Sequence, residues 1–156
     1  MNFNIIENNK IFTVVILDSN FLLVPIQLNI DIYEEIKYII QEDFIYLIPN
    51  EVIEELQKKD KREHNRKFTL NLNNALRLLE QYIKNNPKKF IKININADIN
   101  DRIQDIDNLL LNYALFLKQK AYKVFIATND KILKKKLKSH KLNIIFIRQS
   151  KKLDIF

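Results

Sequence analysis

Short runs of β-branched and aromatic residues alternate with amphipathic stretches along most of this chain. Thr13–Leu17, 44–48, 124–127 and Asn143–Ile147 are nearly continuous apolar runs, the pattern of strands buried on both faces. Helical spacing fills the gaps. Ile32, Ile36, Ile39 and Ile40 share a face after Asp31, and Val52, Ile53 and Leu56 share one after Asn50. Leu72, Ala75, Leu76 and Leu79 do so within 68–83, and Ile106, Leu109, Leu110, Tyr113 and Leu117 within 105–118, while 130–137 predicts a shorter helix. Asp31 and Asn50 stand where helix caps are wanted. Residues 90–95 alternate and predict an edge strand. Residues 57–67, dense in charge, predict either a mobile surface segment or a solvated helix end. Parallel strands need long crossovers, so this alternation predicts an α/β domain with a parallel sheet, a single domain spanning residues 1–156.

The chain contains no glycine and no cysteine. Without glycine there is no P-loop and no dinucleotide-binding fingerprint, because both need backbone that approaches phosphate closely. Asn and Asp are expected at turns needing positive φ. Without cysteine there is no disulfide, thiolate nucleophile or thiolate metal site. The net charge of +7 favours an anionic partner such as nucleic acid. No apolar run reaches the ~20 residues of a membrane span, and residues 1–12 lack the basic-then-apolar order of a signal peptide. The expectation is a soluble cytoplasmic protein without membrane contact.

Four acids stand out by position. Asp18 follows the first apolar run and Asp130 follows the run 124–127, so a parallel sheet would bring both to the carboxyl edge where α/β proteins place their sites. Each would serve equally as a helix cap. Helix phase selects the other two. At ~100° per residue, Glu54 points away from the Val52–Leu56 face whereas Glu55 lies at its border. Asp107 is likewise a border residue. Asn108 is expected to face solvent, and Asp105 and Asp101 to be helix-start charges. His64 and His140 sit among charged residues and read as surface groups. Ser19 has no histidine nearby to activate it, and the dispersed aromatics read as core.

The segments VVILDSNFLL, IPNEVIEEL, DIDNLLLNYA and VFIATNDKILKKKL, in this order and spacing, resemble the PIN-domain nucleases over nearly the whole chain. Within that superfamily the resemblance is greatest to archaeal relatives of the eukaryotic small-subunit rRNA-processing nuclease; VapC-type toxins are a more distant match. The resemblance implies a three-layer α/β/α sandwich with a central parallel sheet of four to five strands. It also implies Mg²⁺- or Mn²⁺-dependent cleavage of structured or single-stranded RNA, with rRNA precursor as one candidate. Asp18, Glu55, Asp107 and Asp130 match the family's acidic positions and would hold one or two ions. Asn20 and Thr128 match accessory polar positions. Asn108 departs from the pattern, since close relatives carry a second acid there.

On that reading the acids and their ions activate water, and Lys58, Lys59, Arg62, Arg66, Lys131, Lys134, Lys135 and Lys136 contact the RNA backbone, giving salt-dependent affinity with little sequence choice. For 134–138 a merely solvated basic face is an equal alternative. Three competing readings stand beside this one. They are an inactive PIN domain binding RNA or protein in ribosome assembly, a VapC-type toxin with an antitoxin, and an aspartyl-phosphate phosphatase. The last is disfavoured by Asn20 standing where a second Asp is wanted. A homodimer and ribosome-assembly proteins are compatible partners.

Overall fold

The computed structural model describes residues 12–99 and 105–156. The strands β1 (Thr13–Leu17), β2 (Phe44–Pro49), β3 (Phe90–Ile93), β4 (Lys123–Ala127), β5 (Asn143–Ile147) and β6 (Leu153–Ile155) form one sheet in the order β3-β2-β1-β4-β5-β6. The first five are parallel, the upper end of the expected number, with β3 at an edge as the alternation of 90–95 predicts. The sixth is antiparallel to β5, pairing Ile145 with Ile155. Its three residues are too short for a periodic signal.

The helices are α1 (Ser19–Gln27), α2 (Ile32–Ile39), α3 (Asn50–Glu63), α4 (Arg66–Asn85), α5 (Ile95–Ile99), α6 (Ile106–Gln119) and α7 (Lys131–Ser139). Right-handed crossovers place helices from the two directions of travel on opposite faces, giving the three-layer sandwich. α1 packs on α4, α6 on β4 and α7 on β5. Val14 to Leu17, Tyr46 to Ile48 and Val124 to Ala127 are buried, so the core is continuous across the central strands. No helix among the described residues is long and apolar enough to cross a membrane.

Several elements differ from their sequence expectation, each for a local reason. α1 was not anticipated: SNFLLVPIQ is apolar on nearly every side, with Phe21 to Pro25 buried, so it shows no amphipathic stripe. Asn50 begins α3 without a side-chain capping bond. The charged stretch 57–67 resolves as a solvated helix end: α3 runs to Glu63, His64 turns the chain at φ 48°, and Asn65 caps α4 through the amide of Phe68. β3 stops at Ile93 because Glu51, buried at the start of α3, accepts the Ile95 amide at 2.8 and 3.0 Å and holds α5 there. Asp101 lies outside the described residues.

Turns made without glycine depart from expectation most clearly. Positive φ falls on Asn29, His64, Ala121, Lys141 and Lys151, so one Asn and no Asp serves this role among the described residues. Ala121 and Lys141 each end a helix in a Schellman turn. Tyr122 N–H donates to the Leu117 carbonyl at 3.1 Å and Leu142 N–H to the Leu137 carbonyl at 3.0 Å.

Candidate active site

The chain runs from β1 outward to β2 and β3, then returns to β4 on the other side of β1. This reversal opens a crevice at the carboxyl ends of β1 and β4, where open α/β sheets bind ligands. Leu17 and Ala127 are paired at the ends of these two strands, so Asp18 and Thr128 emerge side by side.

Asp18 is 3% exposed and Thr128 is fully buried. The Asp18 amide donates to the Ala127 carbonyl at 3.0 Å, which fixes its backbone to β4. The Ser19 amide donates to Asp18 Oδ1 at 2.7 Å, and Thr128 Oγ1 donates to Oδ2 at 2.6 Å. Thr128 Oγ1 also accepts the Asp130 amide at 3.1 Å. One hydroxyl therefore ties the first acid to the loop carrying the last. Burial raises Asp18 above the usual carboxylate range, opposed by the Thr128 and Ser19 hydrogen bonds and reinforced by Asp130.

Asp130 is both cap and site neighbour. Its Oδ1 accepts the amides of Ile132 and Leu133 at 2.8 and 3.0 Å, starting α7. Asn20 on α1 accepts the Asn129 amide at 3.2 Å, and Asn129 Oδ1 accepts the Ile147 amide at 2.9 Å. Asn20 thus braces the loop before Asp130, whereas Thr128 touches an acid directly.

Glu55 on α3 and Asp107 on α6 complete the set. Burial pushes Glu55 up, with repulsion from Asp18, Asp107 and Asp105 adding to it and a Ser19 hydroxyl contact opposing. Asp107 is pushed up to about 6, by burial first and then by Asp130, Asp18 and Asp105, with Lys136 pulling down. The four sequence-selected acids, carried by four elements, therefore lie within one another's fields. Glu54 and Glu55 are both exposed side chains of α3, so exposure does not separate them; Glu55 is placed at the cluster by its contact with the Ser19 hydroxyl.

Two residues that sequence reasoning set aside also reach the cluster. Asp105 is indeed a helix start, its Oδ1 accepting the Asp107 amide at 3.1 Å, but its charge also acts on Glu55 and Asp107. Asn108 does not face solvent. It is half-buried, donates to Asp105 Oδ2 at 2.8 Å and accepts from Lys136 Nζ at 3.2 Å. Lys136 follows the buried Leu133 by one helical step, which puts it, like Lys134, on the half-buried side of α7. The place of a second acid is thus filled by an amide that draws a lysine toward Asp107.

The other basic residues lie on α3, α4 and α7. Lys58, Arg62 and Arg66 are exposed around the α3–α4 turn, and Lys59 Nζ lies 5.1 Å from the Phe68 ring centroid. Lys131 and Lys135 are exposed on α7, while Lys134 Nζ lies 5.1 Å from the Phe146 ring centroid. His64 and His140 are both exposed.

The donor chemistry suits a hard cation. The cluster offers carboxylate, amide and hydroxyl oxygens, and a cation among the acids would offset the burial and the repulsion that raise three of them. Among the described residues no three acidic or histidine side chains come close enough to ligate one ion together. That arrangement does not make an all-protein cage. It fits a largely hydrated ion such as Mg²⁺, which is typically held through one or two carboxylates and keeps several waters.

Comparison with known proteins gives three findings. The family described as PIN like domain matches residues 15–150. Ribonuclease VapC4 of Methanocaldococcus jannaschii is 30% identical over 140 residues, covering 89% of this chain and 93% of that protein. Among solved structures, that of the PIN domain endonuclease Utp24 superposes with a TM-score of 0.62 at 20% identity, over 91% of this chain and 90% of that one. A domain of a functionally unknown protein from Methanocaldococcus jannaschii DSM 2661 gives 0.59 at 17% identity, over 86% and 91%. At these identities the two structures speak for the fold alone.

Proposed function

The chain belongs to the PIN-like domain family, and from that premise we propose that it is a divalent-metal-dependent endoribonuclease acting as one domain. Asp18, Glu55, Asp107 and Asp130 are its metal-binding and catalytic acids. The observation that carries this reading is the convergence of four carboxylates, from four separate elements, around the β1–β4 switch point, where burial and then the neighbouring acids raise Asp18, Glu55 and Asp107. A fold gains nothing in stability from such repulsion, so a cationic ligand is the economical reason for it.

Mg²⁺ or Mn²⁺, one or two ions, supplies Lewis-acid stabilisation of phosphoryl charge and a water of lowered pKa when bound. The rest follows from the chain's own residues. Thr128 and the Ser19 amide hold Asp18 in one orientation and favour its ionised form. Asp130 keeps Oδ1 on the α7 amides, which leaves Oδ2 for the crevice. Asn20 and Asn129 brace the loop between them. Lys136, held by Asn108, places positive charge beside Asp107, where an incoming phosphodiester would need it. No side chain is needed as a covalent nucleophile. Lys58, Lys59, Arg62, Arg66, Lys131, Lys134 and Lys135 border the path of the RNA backbone and give affinity that falls with salt.

The substrate is structured or single-stranded RNA, with rRNA precursor as the first to be tried. The test is Mn²⁺-dependent cleavage of such RNA by pure protein. Asp18→Asn should lose the activity, and equal trace activity in wild type and variant would end the proposal. The identity to Ribonuclease VapC4 favours a second reading, a toxin-type ribonuclease held by a protein antitoxin. Growth arrest on expression, relieved by a co-encoded small protein, would select it.

A further inference from the structure

Beside the loop that carries Asp130 lies a surface cavity of about 620 Å³ whose lining includes Asn129, Lys131, Lys134, Phe146, Ile147 and Arg148. It starts at Asn129, the residue before Asp130, and runs along the carboxyl end of β5. Three of these residues are cations and one is a half-buried aromatic ring. Phe146 packs against the core and at the same time lines this cavity. We propose that this cavity is a subsite for one unpaired nucleotide flanking the scissile phosphodiester, with its base stacked on Phe146 and its phosphate held by Lys131, Lys134 and Arg148. This rests on the ribonuclease reading and adds to it where the strand runs and what it must be, namely single-stranded at this position.

The chemistry of the lining argues for that occupant. Unpaired bases stack on aromatic side chains with little regard to sequence, and backbone phosphates are taken up by Lys and Arg. Lys134 Nζ sits 5.1 Å from the Phe146 ring centroid. A cation–π contact at an open site is weaker than base–aromatic stacking, so a base can displace the ammonium and leave it beside the phosphate. Arg148, an exposed side chain at the rim, is paired with Asp154 on β6. The Asn129 bonds to Asn20 and to the Ile147 amide keep the wall between cavity and acids rigid, so a strand seated on Phe146 is aligned toward Asp130.

The experiment measures binding of fluorescently labelled single-stranded RNA to the full chain by anisotropy, in EDTA so that no cleavage occurs. Phe146→Leu keeps an apolar group in place and should weaken binding roughly tenfold, whereas Phe146→Tyr should restore it. An oligomer abasic at each position should bind wild type more weakly and lose nothing further on Phe146→Leu. Lys131→Ala and Arg148→Ala should each lower the salt dependence by about one counterion. Wild-type affinity in Phe146→Leu, or an abasic oligomer bound as tightly as RNA, overturns the subsite even if Mn²⁺-dependent cleavage is present. Loss of cleavage with Phe146-dependent binding intact would instead remove the ribonuclease reading and leave the subsite standing. Thermal melts of Phe146→Leu and Phe146→Tyr that match wild type exclude unfolding as the cause.

Discussion

Replacing Thr128 by Val should reveal how tightly the crevice is built. Valine preserves the β-branched shape of a fully buried residue but deletes the hydroxyl that donates to Asp18 and accepts from Asp130. A hydrogen bond to a charged group contributes about 1.5–3 kcal/mol, and orphaning the part-buried Asp130 amide costs about 1 kcal/mol, the low end for a buried one. Local relaxation and protonation of Asp18 will recover part of this, leaving a net loss of roughly 3 kcal/mol. In a chain of this size each kcal/mol lowers Tm by about 2–4 °C, so the expected fall is roughly 6–12 °C at pH 7. Thr128→Ser keeps the hydroxyl, removes one methyl and should lose about 1 kcal/mol. The pH dependence has a definite sign. The Thr128 bond opposes the burial that raises Asp18, so its removal raises the folded-state value further. A raised acid is destabilising once ionised, and the deficit of Thr128→Val therefore grows as pH rises from the ordinary aspartate range through the folded value. Circular dichroism melts at pH 4.5 and pH 7 measure both effects. A Thr128→Val melt within about 2 °C of wild type at pH 7, or an equal loss in Thr128→Ser, would refute the bridging role.

Asp107→Asn should leave stability at pH 7 unchanged or raise it slightly while abolishing nuclease activity. The move from 3.8 to about 6 corresponds to ~3 kcal/mol of burial and repulsion together at face value, and screening on this part-exposed group reduces it to roughly 1 kcal/mol. Loss of a favourable first-turn charge on α6 offsets about 0.3–1 kcal/mol of that gain. Because the folded value is raised, the wild-type penalty is absent below the ordinary value and complete above about 6, so the variant's advantage should vanish at pH 4. A calorimetric Tm several degrees below wild type at pH 7 would show that Asp107 is structural. Ala121→Gly and Lys141→Gly, at φ 68° and 57°, remove left-handed strain of about 1–2 kcal/mol each. Allowing for the greater unfolded freedom of glycine, each should raise Tm by roughly 1–4 °C in thermal melts.

Much of the fold was legible because periodicity reports burial. The strands that pair around β1 are uninterrupted apolar runs, and α4 and α6 show clear stripes. Elements without contrast were silent. α1 is buried on nearly every side, α5 is a five-residue turn held by a side chain remote in sequence, and β6 has three residues. The candidate site was legible to a similar degree as a set of neighbouring acids. Glu55 and Asp107 could be chosen by helix phase, and Asp18 and Asp130 by their place after strands. Asn108 was misjudged because phase records which way a residue leaves its own helix and not what the next helix brings to meet it. Here α7 brings Lys136.

The alternation of strand and helix thus determined by itself that the chain forms an α/β domain whose sheet is largely parallel, because sequence period is a direct consequence of which faces meet water. The lack of glycine and cysteine determined equally what chemistry the chain cannot perform. Only the tertiary structure decided that β1 and β4 lie side by side, that one hydroxyl joins Asp18 to the loop of Asp130, and that Phe146 opens onto a basic cavity beside them. These are contacts between residues far apart in sequence, and their energies depend on distance and desolvation, which no local pattern encodes.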